Sequence, residues 1–451
     1  MTRIGCVFLL ALTCATARVE AQDARPCMIV ITGVESGPRI TRMTSVITGS
    51  GARNTYIGGA VDATCEGQGN RLLADSAEHF TELGMMILYD NVRYSEPRVN
   101  ITSDRMVYYT VEERLVAEGN VRGRTSTGTR FTGPRMEYFR AKPGIRDENS
   151  WIATGRPFVR MSPTEGNPDA TATADSTDLT ADVVRSQNDS LMWASGRVVL
   201  ERVDMRSMSD SATVDNGTEY VRLLRQPRIV GKGERPFTLE GVIIDAWSKE
   251  RELQRVLALG EAEAVSDSLT LTSDTIDLRF TEQQISRIYA WGGRALAVSP
   301  QQTMASDSMD VMMPGQKLER VHAIGNAQAL SVPDTSTFVS SERDWITGDT
   351  LKAQFETLPP SAEDSSQRSV MKEIVAIGSA RAFYQTAPSG GGKGVPILSY
   401  NRGRHITVLF SEGAMRTVSI LDQASGLYLE PIMQRDSVPA TASVPTRGGR
   451  P

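Results

Sequence analysis

Residues 101–121 read Ile101-Thr-Ser-Asp104-Arg-Met106-Val-Tyr-Tyr-Thr-Val-Glu-Glu-Arg-Leu115-Val-Ala117-Glu-Gly119-Asn-Val121. Leu115, Ala117, Gly119 and Val121 are spaced by two, the period at which a β-strand returns to the same face. The spacing returns at Met192-Trp-Ala-Ser-Gly-Arg-Val198, Val256-Leu-Ala-Leu-Gly-Glu-Ala262, Val321-His-Ala-Ile-Gly-Asn-Ala327 and Ile374-Val-Ala-Ile-Gly-Ser-Ala380, with looser copies at 151–157 and 288–294. Recurrence at roughly 30–40 residues marks a repeat architecture, in which each unit buries its apolar face only against its neighbours. The chain is therefore expected to be all-β.

A second element precedes these copies: an apolar residue, two small residues, then Asp. It occurs at Leu72-Leu-Ala-Asp75, Ile101-Thr-Ser-Asp104, Ala172-Thr-Ala-Asp175, Leu271-Thr-Ser-Asp274, Met304-Ala-Ser-Asp307 and Ile346-Thr-Gly-Asp349, and is shortened at Met208-Ser-Asp210. Around Asp274 the apolar residues are Leu271, Ile276 and Leu278; around Asp307 they are Met304, Met309 and Val311. Their parity changes across the Asp, which a straight strand forbids and a bulge permits. Asp suits such a point because its carboxylate accepts nearby backbone N–H groups. Asp75, Asp104, Asp175, Asp210, Asp274, Asp307 and Asp349 are thus expected at structural corners, and the glycines at further bulges or close backbone approaches.

The 451 residues carry a net charge of −5 and no basic run, which argues against a nucleic-acid partner. Met1-Thr-Arg3, the apolar stretch Ile4–Ala17 and the small-residue site Val19-Glu-Ala21 read as a secretory signal over 1–21, too short for a membrane span. Export would leave Cys27 and Cys65 as an even pair, expected as one disulfide, the alternative being two free thiols. Residues 22–70 read as an N-terminal cap, 71–431 as the array, and 432–451, rich in Pro, Ser and Thr, as a disordered tail.

No catalytic constellation stands out. His79, His322 and His405 fall in different repeats without metal-ligand spacing, and the periodic Asp residues read as structure, so neither metal nor cofactor is expected. What remains is an inward surface: Ile101, Met106, Leu115, Val121, Val256, Leu271, Ile276, Leu278, Met304, Met309, Val311, Val321, Ile346 and Leu351, with Asp277, Asp310 and Glu261 expected outside. Aliphatic, Met and small residues fit either a filled core or a groove for acyl chains.

The alternation of the Asp element with the Ala-x-Gly element resembles the OstA-like repeats of periplasmic lipopolysaccharide-transport proteins of the LptA type. Residues 101–121 are the nearest copy, and 413–421 followed by Gly426-Leu-Tyr-Leu-Glu-Pro431 is similar to the last repeat of such proteins. The resemblance covers most of residues 27–431 and implies an elongated, twisted β-jellyroll whose two facing sheets enclose an apolar groove. It implies a non-enzymatic periplasmic carrier or bridge moving lipopolysaccharide, or a related lipid, toward the outer membrane. Its partners would be other transport proteins of the inner and outer membrane. Two departures stand beside it: the chain is longer than compact members, and nothing after Thr407 shows the serial strands of an outer-membrane barrel. Unpaired terminal strands, the last expected around His405–Phe410, would serve head-to-tail β-edge association. A structural or adhesive β-solenoid of the cell surface is the alternative reading, and a polysaccharide-acting β-helix enzyme a third.

Overall fold

The computed structural model describes residues 29–32, 40–65, 69–161, 176–233, 235–266, 269–333, 338–358, 368–388, 394–411 and 414–431. The segment 1–21, Cys27, Asp175 and the tail 432–451 lie outside them. Among the described residues the fold is all-β, with the short 3-10 turn Pro314–Gln316 its sole helical element. Among the described residues no helix is long and apolar enough to cross a membrane. The chain divides into two compact units, one formed by Met1–Gly123 with Arg135–Trp151 and the other by Arg124–Pro134 with Ile152–Pro451. The boundary expected at residue 70 falls inside the first unit.

The strand pairings with a described register are antiparallel, and several long strands serve two ladders. In the second unit, Glu252–Ser266 pairs through 252–259 with Ile243–Lys249, and through 263–266 with Phe237–Glu240. The next strand, Leu269–Thr281, likewise splits between Gln284–Trp291 and Ala295–Val298. The switch comes at one place in each strand. Leu259 opposes Thr275 and Ala262 opposes Ser273, so Gly260 and Glu261 together face the single residue Asp274. Gly325-Asn326 face Asp349 in the same way, and Gly196-Arg197 face Asp210.

Asp210 and Asp274 lie where their strands change ladder, as a corner would, and Asp307 lies between two strands, Gln302–Ser306 and Ser308–Met312. The extra residue lies on the Gly strand, while Asp104, Asp210, Asp274 and Asp349 sit within strands opposite it. Both bulge residues are left-handed: φ is +79° at Gly325 and +46° at Asn326. A side chain at Gly325 would collide with the Asp307 carboxylate, so glycine is required there on two counts. The following Asn tolerates the left-handed region and donates its amide to the Asp, 3.0 Å for Asn326 to Asp307 and 2.8 Å for Asn120 to Asp104.

The first unit follows the same plan. Arg53–Cys65 pairs with Arg42–Ile47 over one half and with Ile29–Thr32 over the other. Asp90 and Asn91, both at positive φ, take the place of Gly-Asn, and Asn91 donates to Asp75 at 2.7 Å. Cys65 is buried and disulfide-bonded, directly opposite Ile29.

The expected edge at His405–Phe410 is not an edge. Val408 is buried and paired on both sides, with Ile374 and with Val418. The strands bordering it, Ala414–Leu421 and Ser425–Leu429, pair with Ile397–Ser411 alone among the described residues, and leave Leu421, Leu427, Tyr428 and Leu429 exposed.

Candidate functional site

The apolar side of each ladder is built from rows that run across the strands. In the ladder on the near side of the bulges one row reads Ile244, Ala258, Ile276, Ala290, Met309, Ala323, Leu351, Ala376, Ile406, each the direct register partner of the next. Large and small residues alternate over this stretch, and all are buried; beyond it Leu223 opposes Ile244 and Ile420 opposes Ile406. This is why the motif carries Ala: the strand before and the strand after each present a bulky side chain at that level, and a second one would overfill the row. A row of the other ladder reads Leu239, Ala264, Leu271, Ala297, Met304, Ala329, Ile346, Ala382.

The two rows differ in exposure. Ile101, Met106, Leu115, Val121, Val256, Leu271, Ile276, Leu278, Met309, Val311, Val321, Ile346 and Leu351 are buried, whereas Met304 is half-buried together with its row partners Ala264, Ala297 and Ala329. The second wall is therefore only partly covered over its middle. Elsewhere the interior is filled more closely. Where Met161, Leu200, Met205 and Ile229 of one ladder meet Val214, Val221, Leu223 and Ala246 of the other, the space between them is ≈ 50 Å³. Phe237 and Phe280, again one from each ladder, lie with ring centroids 6.2 Å apart.

In the first unit the interior ends in a polar knot. Arg140 donates to Glu96 at 2.8 Å and to Glu113 at 2.7 Å. Tyr94 donates to Glu96 and Tyr108 to Glu113, both at 2.9 Å, and Tyr138 also donates to Glu96. The side chains of Glu96 and Glu113 are only 5% and 10% exposed. Burial, reinforced by the adjoining carboxylates, pushes the Tyr94 and Tyr108 hydroxyls well above the ordinary tyrosine range, so both remain donors.

The opposite face of the near ladder in the second unit is polar but not open. Asp277, expected outside, is 2% exposed because Arg255 and Arg279 each close on it at 2.9 Å. Its parity is the outward one; its burial comes from the long arginine stems folded over it. Asp310, half-buried, is clamped by Arg287, while Glu261 in its bulge is exposed. Tyr220, Trp247 and Tyr289 stack with this layer, Arg255 lying 4.8 Å from the Trp247 ring and Arg287 4.6 Å from Tyr289.

Asp245 in this layer accepts from Arg222 at 2.7 and 2.8 Å and from Tyr220 at 2.7 Å. Burial works to raise its pKa, but the Arg222 and Tyr220 hydrogen bonds prevail and hold it below the ordinary carboxylate value. A folded-state pKa below the unfolded one gives stability that is fully present above about pH 4 and is lost as pH falls through the folded value. Arg222→Ala should cost about 2 kcal/mol at pH 7, less than a fully buried pair, since Arg222 is half exposed and Tyr220 keeps its bond. It should also flatten the acid limb of the stability curve; urea midpoints at pH 7 and pH 3 measure both effects.

Among the described residues no group of three His, Cys, Asp or Glu side chains is placed to hold a metal ion. Sequence reading missed Asp182, which stands against the Gly196 bulge; the signal was present as Leu179-Thr-Ala-Asp182, a copy overlooked beside Asp175. No protein-family model and no curated protein matches the chain.

Proposed function

We propose that this chain is a non-enzymatic carrier or bridge for an amphiphile, exported to the periplasm, with acyl chains held between its ladders. The observation that supports this reading is the half-buried apolar row Ala264, Ala297, Met304 and Ala329, on the same face as the buried Leu271 and Ile346. An apolar wall only partly covered on its inner side is a place for a ligand's hydrocarbon, and Met at its centre adapts to varied chains. The repeat resemblance makes lipopolysaccharide, or a related lipid, the proposed cargo. The exposed last strands, with Leu427 and Tyr428, are the proposed edge for a transport partner or a second copy. A structural β-stack is the second reading, favoured by the ≈ 50 Å³ left where the two ladders pack most closely.

A photo-crosslinking residue placed singly at Ile276, Leu278, Met304, Met309, Glu261 and Asp310 separates the two readings. A carrier should be labelled by lipopolysaccharide at the first four positions and not at the last two. A folded protein labelled at none of them is a structural stack, because a close-packed interior admits no chain.

A further inference from the structure

Three successive bulges of the second unit depart from the Gly-Asn rule in one direction. Gly155 is followed by Arg156, Gly196 by Arg197, and at the third bulge Arg225 stands in the glycine's own place with Gln226 after it. The three arginines have φ of +64°, +47° and +62°. Asn91, Asn120 and Asn326 occupy this backbone at equivalent bulges and bond an Asp there, and Arg197 and Arg156 likewise reach Asp182. The Asp182 pair accounts locally for Arg197 and Arg156; Arg225, in the place of a glycine and without an ion pair to a described residue, has no such local reason.

The hydrogen bonds bring the three together. The Arg156 amide donates to the Asp182 carbonyl, the Asp182 amide to that of Gly196, and the Asp210 amide to that of Arg225. Arg156, Arg197 and Arg225 line one open pocket of ≈ 300 Å³, with Val198, Val199, Met208 and Gln226 as its other walls. Two carboxylates adjoin it. Asp182 takes Arg197 at 2.7 Å and Arg156 at 3.4 Å, and Asp210 lies in the lining. The Arg225 guanidinium makes no ion pair with a described residue, so the pocket keeps an excess of positive charge on a chain whose net charge is −5. Guanidinium groups present forked donors that match phosphate oxygens.

We infer that Arg156, Arg197 and Arg225 form a binding site for a phosphate-bearing group on the outer side of the bulge column. The site stands independently of what the interior carries.

The variant R156N/R197N/R225G gives each bulge the residues used elsewhere in the fold. Titration calorimetry of the whole chain with inorganic phosphate at fixed ionic strength should show at least about tenfold weaker binding in the variant, with a Tm equal to or above that of the parent. Co-sedimentation with phosphatidylcholine vesicles, with and without phosphatidic acid, identifies the source of the phosphate. Loss of vesicle binding in the variant assigns a lipid headgroup, and a loss confined to free phosphate assigns a soluble compound. Equal behaviour of parent and variant in both arms overturns the site. So does a variant of lower Tm with phosphate binding intact, which would make the arginines structural; R197N alone repeats the comparison with a single change.

Discussion

Replacing Arg140 with Met should destabilise the first unit by about 3–5 kcal/mol, the largest effect expected of any single surface-charge change in the chain. Arg140 lies between Glu96 and Glu113, whose side chains are almost wholly removed from water, and its loss would remove the cation these two carboxylates share. The three tyrosine donors soften the penalty but cannot neutralise two charges. Combining R140M with E96Q and E113Q should recover most of the loss, since neutral amides still offer oxygens to Tyr94, Tyr108 and Tyr138 while removing the charge. Urea denaturation of the single and triple variants, analysed as a coupling energy, tests this directly; strictly additive effects would mean the charges do not interact.

The second large effect is expected at Ile276. It is fully buried in the alternating row, with Ala258 and Ala290 as its register partners. Truncation to Ala would set three small residues side by side, and neighbours held by strand pairing cannot close the gap, so I276A should cost about 2–5 kcal/mol. The same variant separates a filled row from a ligand channel. If acyl chains reach this level, a lipid amphiphile below its micelle concentration should restore part of the lost thermal stability; a dry core gains nothing from it.

Much of this was legible in the sequence because spacing two survives any local context. The Ala-x-Gly copies gave the strands and their faces, and thirteen of the fourteen residues assigned to the interior are buried. The fourteenth, Met304, has the right parity, and its exposure depends on how much of the opposite wall reaches it, which no single strand records. The corner at each Asp was legible, but not the strand that holds the bulge's extra residue. A parity change seen along one chain segment does not say which of two paired strands holds the extra residue; the register does, and it puts Gly260-Glu261 against Asp274. Asp277 shows the limit of alternation from the other side. Period two fixes the face of a carboxylate, but arginines contributed by Glu252–Ser266 and by its own strand decide whether water reaches it.

The exchange of bulky for small from Ile244 to Ile406 bears on how this part of the chain can change length. Removing one strand between Ile244 and Ile406 would bring Ala beside Ala or bulky beside bulky at this level, as already happens at Ala194–Ala212 and Leu223–Ile244 outside that stretch. Within that stretch the unit that preserves the packing of this row is a two-strand tile, one strand of each kind.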